Sequence, residues 1–246
     1  MIYELNDTSK VEKLFEGFED TLITSCLQKV MGRVYVTDRE NPVSAMAYCG
    51  FFAFFAGEPD EELVRGKPEG YVIMVPQSDG WAKLIESNYP ATKTIRYALK
   101  KDARFDRKKL SAMAAALPEG YEIKKIDEKI YDLCRADRTF EDFVAVFETK
   151  EKFFKLGRGV VIMKDGAIVS GASSYSRYRE GVEIEVVTKK EERHKGLASA
   201  ACASFILSCL DEGLYPNWDA ANMLSVRLAE KLGYTFSHEY ICFGVE

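Results

Sequence analysis

Residues 183–203 read EIEVVTKKEERHKGLASAACA, and this stretch restricts the fold more than any other. The apolar run from Ile184 to Thr188 predicts a strand. A charged turn, Lys189 to Lys195, follows it. Gly196, Leu197 and Ala198 then open a helix rich in small residues. A strand that enters a helix through Arg-x-x-Gly-x-Ala gathers several backbone N–H groups at the positive end of that helix, which makes a receptor for phosphate. Arg193 and Lys195 add charge, and Gly196 and Ala198 let a ligand come close to the backbone.

Composition removes other classes. The 246 residues are 47% hydrophobic and 30% charged, as in a soluble globular chain. The net charge of -5 and a pI near 5.4 disfavour bulk nucleic-acid binding, so no nucleic-acid partner is expected. No run of 18 apolar residues offers a membrane span, and the acidic, amphipathic start does not read as a signal peptide; a cytoplasmic location is the expectation. The six cysteines form no C-x-x-C pair and the chain has only two histidines. The expectation is reduced core cysteines and no bound metal.

Two halves are visible, residues 1–117 and 118–246. In the second, a strand at 121–126 leads to a short helix capped by Asp127. Phe140, Phe143, Val144 and Phe147 have helical spacing and predict a helix over 140–149. Strands at 159–163 and 167–178 are joined by Lys164-Asp165-Gly166, a strong hairpin signal. The helix from Leu197 to Leu210 carries Leu197, Ala201, Phe205 and Cys209 on one stripe, and Gly213 is placed to end it. A short strand at 214–218 holds Pro216, which argues for incomplete pairing. A helix at 223–232, capped by Asn222 and closed by Gly233, precedes strands at 234–236 and 239–245. The first half shows a strand pair within 32–59, strands at 71–76 and 94–100 and a helix at 80–87. These echo the second half, but no Arg-x-x-Gly-x-Ala is present. An unrelated α+β domain remains an equal reading.

Val186-Val187-Thr188 followed by Arg193-His194-Lys195-Gly196-Leu197-Ala198 resembles the GNAT superfamily of acyl-coenzyme A N-acyltransferases. Asn222, Ser225 and Lys231-Leu232-Gly233-Tyr234 match the family's second block at the expected distance. Residues 213–222, GLYPNWDAAN, look like a subgroup that includes zwittermicin-type resistance acetyltransferases. The resemblance implies an α/β (α+β mixed sheet) protein with a C-terminal GNAT fold and an N-terminal α/β domain, which is read alternatively as a degenerate GNAT-like half.

The resemblance also implies roles. Backbone N–H groups from Arg193 through His194, Lys195, Gly196 and Leu197 to Ala198 would hold the coenzyme A pyrophosphate. The strand at Val186, Val187 and Thr188 would pair with the pantetheine arm, and an N–H near Val187 would polarise the thioester carbonyl. Asn222 and Ser225 would touch the cofactor; a plain helix cap and a surface residue are the structural alternatives. Glu183 or Glu185 would be the general base, unless both are only solvent-facing or ion-paired strand residues. Ser225 is a further catalytic candidate, because Ala229 stands where many relatives carry a tyrosine acid. Tyr175, Arg177 and Tyr178 are candidates to line the acceptor cleft. The expected reaction is transfer of an acetyl group from acetyl-coenzyme A to a primary amine of a small molecule or peptide. A coenzyme-binding regulator, an aminoacyl-tRNA-dependent transferase, and a monomer or a homodimer stay open.

Overall fold

A computed structural model describes all 246 residues. The fold is mixed α/β, as the sequence predicts, and falls into two compact units. One comprises Met1–Arg96 with Glu239–Glu246, and the other Tyr97–His238. No helix is long and apolar enough to cross a membrane, and all six cysteines are buried free thiols.

In the first unit, β1 (Tyr3–Glu4) precedes α1 (Thr21–Leu27). An antiparallel series follows: β2 (Arg33–Val36), β3 (Ser44–Cys49) and β4 (Phe52–Gly57). After α2 (Glu61–Arg65), β5 (Val72–Pro76) joins β4 in parallel, and α3 (Asp79–Asn88) leads to β6 (Thr92–Leu99). Met46, Phe55 and Trp81 are at 0% exposure in the core. The end of the β4–β5 pair is closed by side chains of its own unit. Gln77 Oε1 accepts from the Gly57 N–H at 2.9 Å, and Trp81 Nε1 donates to the Gly57 carbonyl at 3.0 Å.

The second unit begins with the end of β6 and α4 (Arg107–Ala115), whose N-terminus Asp106 caps through the Lys108 and Lys109 N–H groups. Then come β7 (Glu122–Lys125), α5 (Glu128–Ala136), α6 (Asp142–Ala145) and α7 (Lys150–Leu156). Next are β8 (Gly159–Lys164), β9 (Ala167–Tyr178), β10 (Gly181–Thr188) and α8 (Leu197–Asp211). The unit finishes with β11 (Tyr215–Asn217), β12 (Asp219–Ala220), α9 (Met223–Leu232) and the start of β13 (Phe236–Val245). Its five-stranded sheet runs β11-β10-β9-β8-β7. Asp165 and Gly166 both take positive φ, 49° and 80°, which closes the predicted β8–β9 hairpin tightly. Gly213 (φ 71°) and Gly233 (φ 118°) end α8 and α9 in the left-handed conformation, also as predicted.

Helix α8 covers one face of this sheet. Val160, Ile162, Ala172, Val182 and Ile184 meet Ala201, Phe205 and Cys209 in one core. Ala200, Ala201, Cys202 and Ala203 are all at 1% exposure or less, and small residues allow the helix to lie close to the strands. Burying Phe205 and Ile206 contributes about 1.5–3 kcal/mol each. Helix α6 packs on the opposite face; a Cβ on Gly171 would lie 2.6 Å from the Phe143 ring.

The strand pair predicted within 32–59 is the three strands β2, β3 and β4, and two predicted elements of the second half also differ. Of residues 140–149, only Asp142–Ala145 is α-helical. Glu148 adopts φ 66°, and the Thr149 hydroxyl caps a new helix through the Lys152 N–H. The four apolar residues are nevertheless all buried, so their spacing reported burial rather than helix length. The two predicted C-terminal strands are the single strand β13, since no Gly or Pro at Ser237 or His238 interrupts it.

Candidate active site

The site is built where two neighbouring strands separate. β10 pairs with β9 along its whole length, down to Thr188 opposite Ser170. With β11 it pairs only at Gly181, Val182 and Glu183, opposite Tyr215, Pro216 and Asn217. Beyond Asn217 the chain leaves β10, and Asp219 and Ala220 pair with Ala98 and Tyr97 of β6 instead. Tyr215 donates its N–H to Glu180 O at 2.8 Å, so Pro216 turns its missing donor to the other edge. Glu183 holds the fork. Its carboxylate accepts from Asn217 Nδ2 at 2.6 Å and from the Asp219 N–H at 2.7 Å, and it is 5% exposed. It replaces the strand contacts that end there. Glu183→Gln, which offers one carbonyl oxygen to two buried donors, is expected to cost about 1–3 kcal/mol in denaturant unfolding.

The separation leaves one edge of β10 without a strand. The Lys189 N–H donates to Val169 O at 2.9 Å, in register with Thr188 opposite Ser170. Main-chain groups alternate sides along a strand. Those of Glu185 and Val187 therefore belong to the β9 ladder, and those of Ile184, Val186 and Thr188 point to the strandless edge.

That edge leads to the loop before α8. Arg193 is extended, His194 takes φ 64°, and Gly196 takes φ 79° as the residue before the helix. No side chain caps α8, and the Ala200 N–H is bonded back to Gly196 O. The N–H groups of Leu197, Ala198 and Ser199 lie ahead of that first turn and suit an anion. A Cβ on Gly196 would meet nothing within 4 Å, so the loop is open on that side. The charges are arranged less simply than the sequence implies. Arg193 Nε reaches back to Thr188 O at 3.5 Å. Lys195 pairs with Glu192 at 2.6 Å, and Glu192 also accepts from the Tyr121 hydroxyl at 2.6 Å and faces Lys164 at 3.5 Å. Lys195 and Tyr121, as hydrogen-bond donors, hold the Glu192 carboxyl down at about 2.

Glu185 lies on the face of β10 away from α8, two residues along from Glu183. Burial, with Asp142 adding like charge, pushes its carboxyl up to about 8. Its Oε2 is shielded from solvent and makes no hydrogen bond. Of the two glutamates, Glu183 is engaged in the fold and Glu185 keeps an oxygen for chemistry.

Asn222 caps α9 through the Ser225 N–H at 3.0 Å, and Ser225 Oγ accepts from Trp218 Nε1 at 3.0 Å. Ser225 therefore retains its own proton for donation. Tyr234 is sequestered: its hydroxyl donates to Pro216 O at 2.6 Å, and burial pushes it upward. Ala229 is fully buried in the core. Tyr175 and Tyr178 are buried at 8% and 7% exposure, and the Arg177 guanidinium donates to the main-chain oxygens of Tyr178 and Gly181. His194 is exposed in the loop, and His238 Nδ1 lies 3.1 Å from the Ser237 hydroxyl. Sequence reading did not single out Asp142, because nothing in spacing places α6 opposite Glu185. The same holds for the Glu192–Tyr121 pair, whose members are 71 residues apart.

The model of the GNAT acetyltransferase family matches residues 12–243. The chain belongs to the GNAT acetyltransferase family. An uncharacterized N-acetyltransferase of Bacillus subtilis, YdfB, is 26% identical, with 95% of each chain covered. A GCN5-related N-acetyltransferase-like protein of Streptococcus suis has a closely similar structure, with a TM-score of 0.93, 42% identity and 98% of each chain covered. A tandem GNAT protein from the clavulanic acid biosynthesis pathway shares the fold at a TM-score of 0.55 and 13% identity, over 100% of this chain and 98% of its own. As a GNAT protein the chain is an acyltransferase.

Proposed function

We propose that the protein transfers an acetyl group from acetyl-coenzyme A to a primary amine by direct attack in one ternary complex. The observation that carries this reading is the strandless edge of β10, Val186 to Thr188, running into the uncapped N-terminus of α8. An extended pantetheine arm fits such an edge by strand addition, and a pyrophosphate fits the N–H groups from His194 to Ala198. Bound acetyl-coenzyme A supplies the activated acyl group. The Val186 N–H points to that edge and serves as the donor to the thioester carbonyl. Asn222 and Ser225 flank the thiol end.

Glu185 is the general base. An alkylammonium with a pKa of about 10.4 must lose a proton before it attacks, which costs about 4.6 kcal/mol at pH 7. Once ionised, as pH rises through about 8, this carboxylate attracts the cation and accepts that proton. The departing thiol is acidic enough, at about 8.5, to need little help; Ser225 is placed to give it.

The first unit has the same order of helix, three antiparallel strands, helix, parallel strand, helix and strand. Together with the whole-chain likeness to a tandem protein, this supports reading it as a degenerate GNAT-like half. Gln77 and Trp81 occupy the strand end that would have to open for a pantetheine arm. Residues 213–222 support a place among the zwittermicin-type acetyltransferases.

Calorimetry with acetyl-coenzyme A, followed by release of free thiol in the presence of a panel of amines, tests the proposal. Binding and amine-dependent thiol release are expected. Binding without release from any amine would point instead to a coenzyme-binding regulator, and no heat at millimolar ligand would overturn both.

A further inference from the structure

Glu185 has a second carboxylate for a neighbour and no cation. Ser173, its register partner on β9, donates its hydroxyl to Phe143 O at 2.7 Å. This bond fixes α6 over Glu185 and brings Asp142, the residue before Phe143, alongside. The charge acting on Glu185 comes from Asp142, and the charge acting on Asp142 comes from Glu141. Glu141 is itself paired with Arg135 at 3.0 Å; no lysine or arginine offsets Glu185 or Asp142.

The same face holds two unsatisfied polar atoms. Glu185 Oε2 and Ser176 Oγ are both shut off from water without a hydrogen-bond partner. Ser176 stands opposite Glu183, so the two orphaned atoms share one face of β9 and β10. Buried polar atoms are ordinarily paired, and each orphan costs about 1–3 kcal/mol. Such a surface calls for a ligand rich in N–H donors and positive charge.

With both carboxylates ionised, one ammonium does not satisfy it. In the transfer, Glu185 first takes one proton from the ammonium; the neutral amine nitrogen then forms the N–C bond as the C–S bond breaks, and its second proton leaves with the coenzyme as the thiol. Asp142 then remains charged in a half-buried position. A second positive centre on the acceptor would stay ionised and offset it throughout.

We propose that Asp142 is a specificity-determining residue that, with Glu185, selects acceptors carrying a second positive charge near the reacting amine, over monoamines and over amines bearing a carboxylate. This deepens, and rests on, the acetyltransferase reading.

The test compares 1,4-diaminobutane, butylamine and 4-aminobutyrate, titrated calorimetrically into the full chain with and without coenzyme A, and assayed for thiol release with acetyl-coenzyme A. The wild type is expected to bind the diamine about tenfold tighter than butylamine, with 4-aminobutyrate weakest. Asp142→Asn should bring the first two within about twofold, and Asp142→Lys should turn the preference toward 4-aminobutyrate. Equal binding of diamine and monoamine by the wild type, which needs no variant to fold, would overturn the proposal. So would an Asp142→Asn protein that keeps the full preference, or an absence of binding by all three. A diamine preference with no thiol release would sink catalysis and leave the selectivity standing, so the two readings fail separately.

Discussion

Gly196→Glu is expected to abolish acetyl-coenzyme A binding while the chain stays folded. Gly196 sits at φ 79° directly before α8, and its side-chain direction is empty space within the protein. A carboxylate there would not clash with its own chain; it would fill the place proposed for a diphosphate. Two like charges about 4 Å apart near a protein surface repel by roughly 4 kcal/mol. The favourable field of the helix end, about 0.3–1 kcal/mol or more, is also cancelled. Together these weaken binding by about a thousandfold, read as a lost calorimetric signal. Gly196→Ala separates charge from strain. It carries the same left-handed penalty, about 1–2 kcal/mol in stability, and should bind acetyl-coenzyme A within about tenfold of wild type. Equal binding losses in the two variants would remove the anion site from the account.

Glu185→Gln is expected to lower amine-dependent turnover by about a hundredfold to ten-thousandfold. Acetyl-coenzyme A affinity should change by less than about twofold, because the Glu185 side chain leaves the strandless edge to Val186 and Thr188. The pH profile gives the sharper signature. A base must be unprotonated to act, and burial with the Asp142 charge places Glu185 at about 8. Activity with amine should therefore rise with pH through about 8 in the wild type, and that rise should vanish in Glu185→Gln. Asp142→Asn, which removes the like charge, should move the midpoint downward. A parallel fall in turnover and coenzyme affinity, with the profile unchanged, would assign Glu185 a structural role.

Much of this was legible in order along the chain. Asp165-Gly166 meant a hairpin, because both residues tolerate positive φ. Asn222 and Gly233 bracketed α9 because one side chain caps and one backbone turns left-handed. The stripe Leu197, Ala201, Phe205 and Cys209 proved buried along its length. The reading was weaker for Glu183 and Glu185. Alternation set them on one face of β10 but said nothing of their partners. Asn217 and Asp219, which distinguish the two, are more than 30 residues away.

The sequence by itself determined the loop, the helix that follows it and the family. These are local: dihedral freedom at Gly196, small residues on α8 and an apolar run before them act within a few residues of one another. Only the tertiary structure decided which carboxylate is free, which main-chain donors point to the strandless edge, and that Asp142 faces Glu185. Register, the parting of β10 from β11 and the packing of α6 on β9 are set by contacts between residues far apart in sequence. The exposure of a charged group to water, and so its chemistry, depends on those contacts.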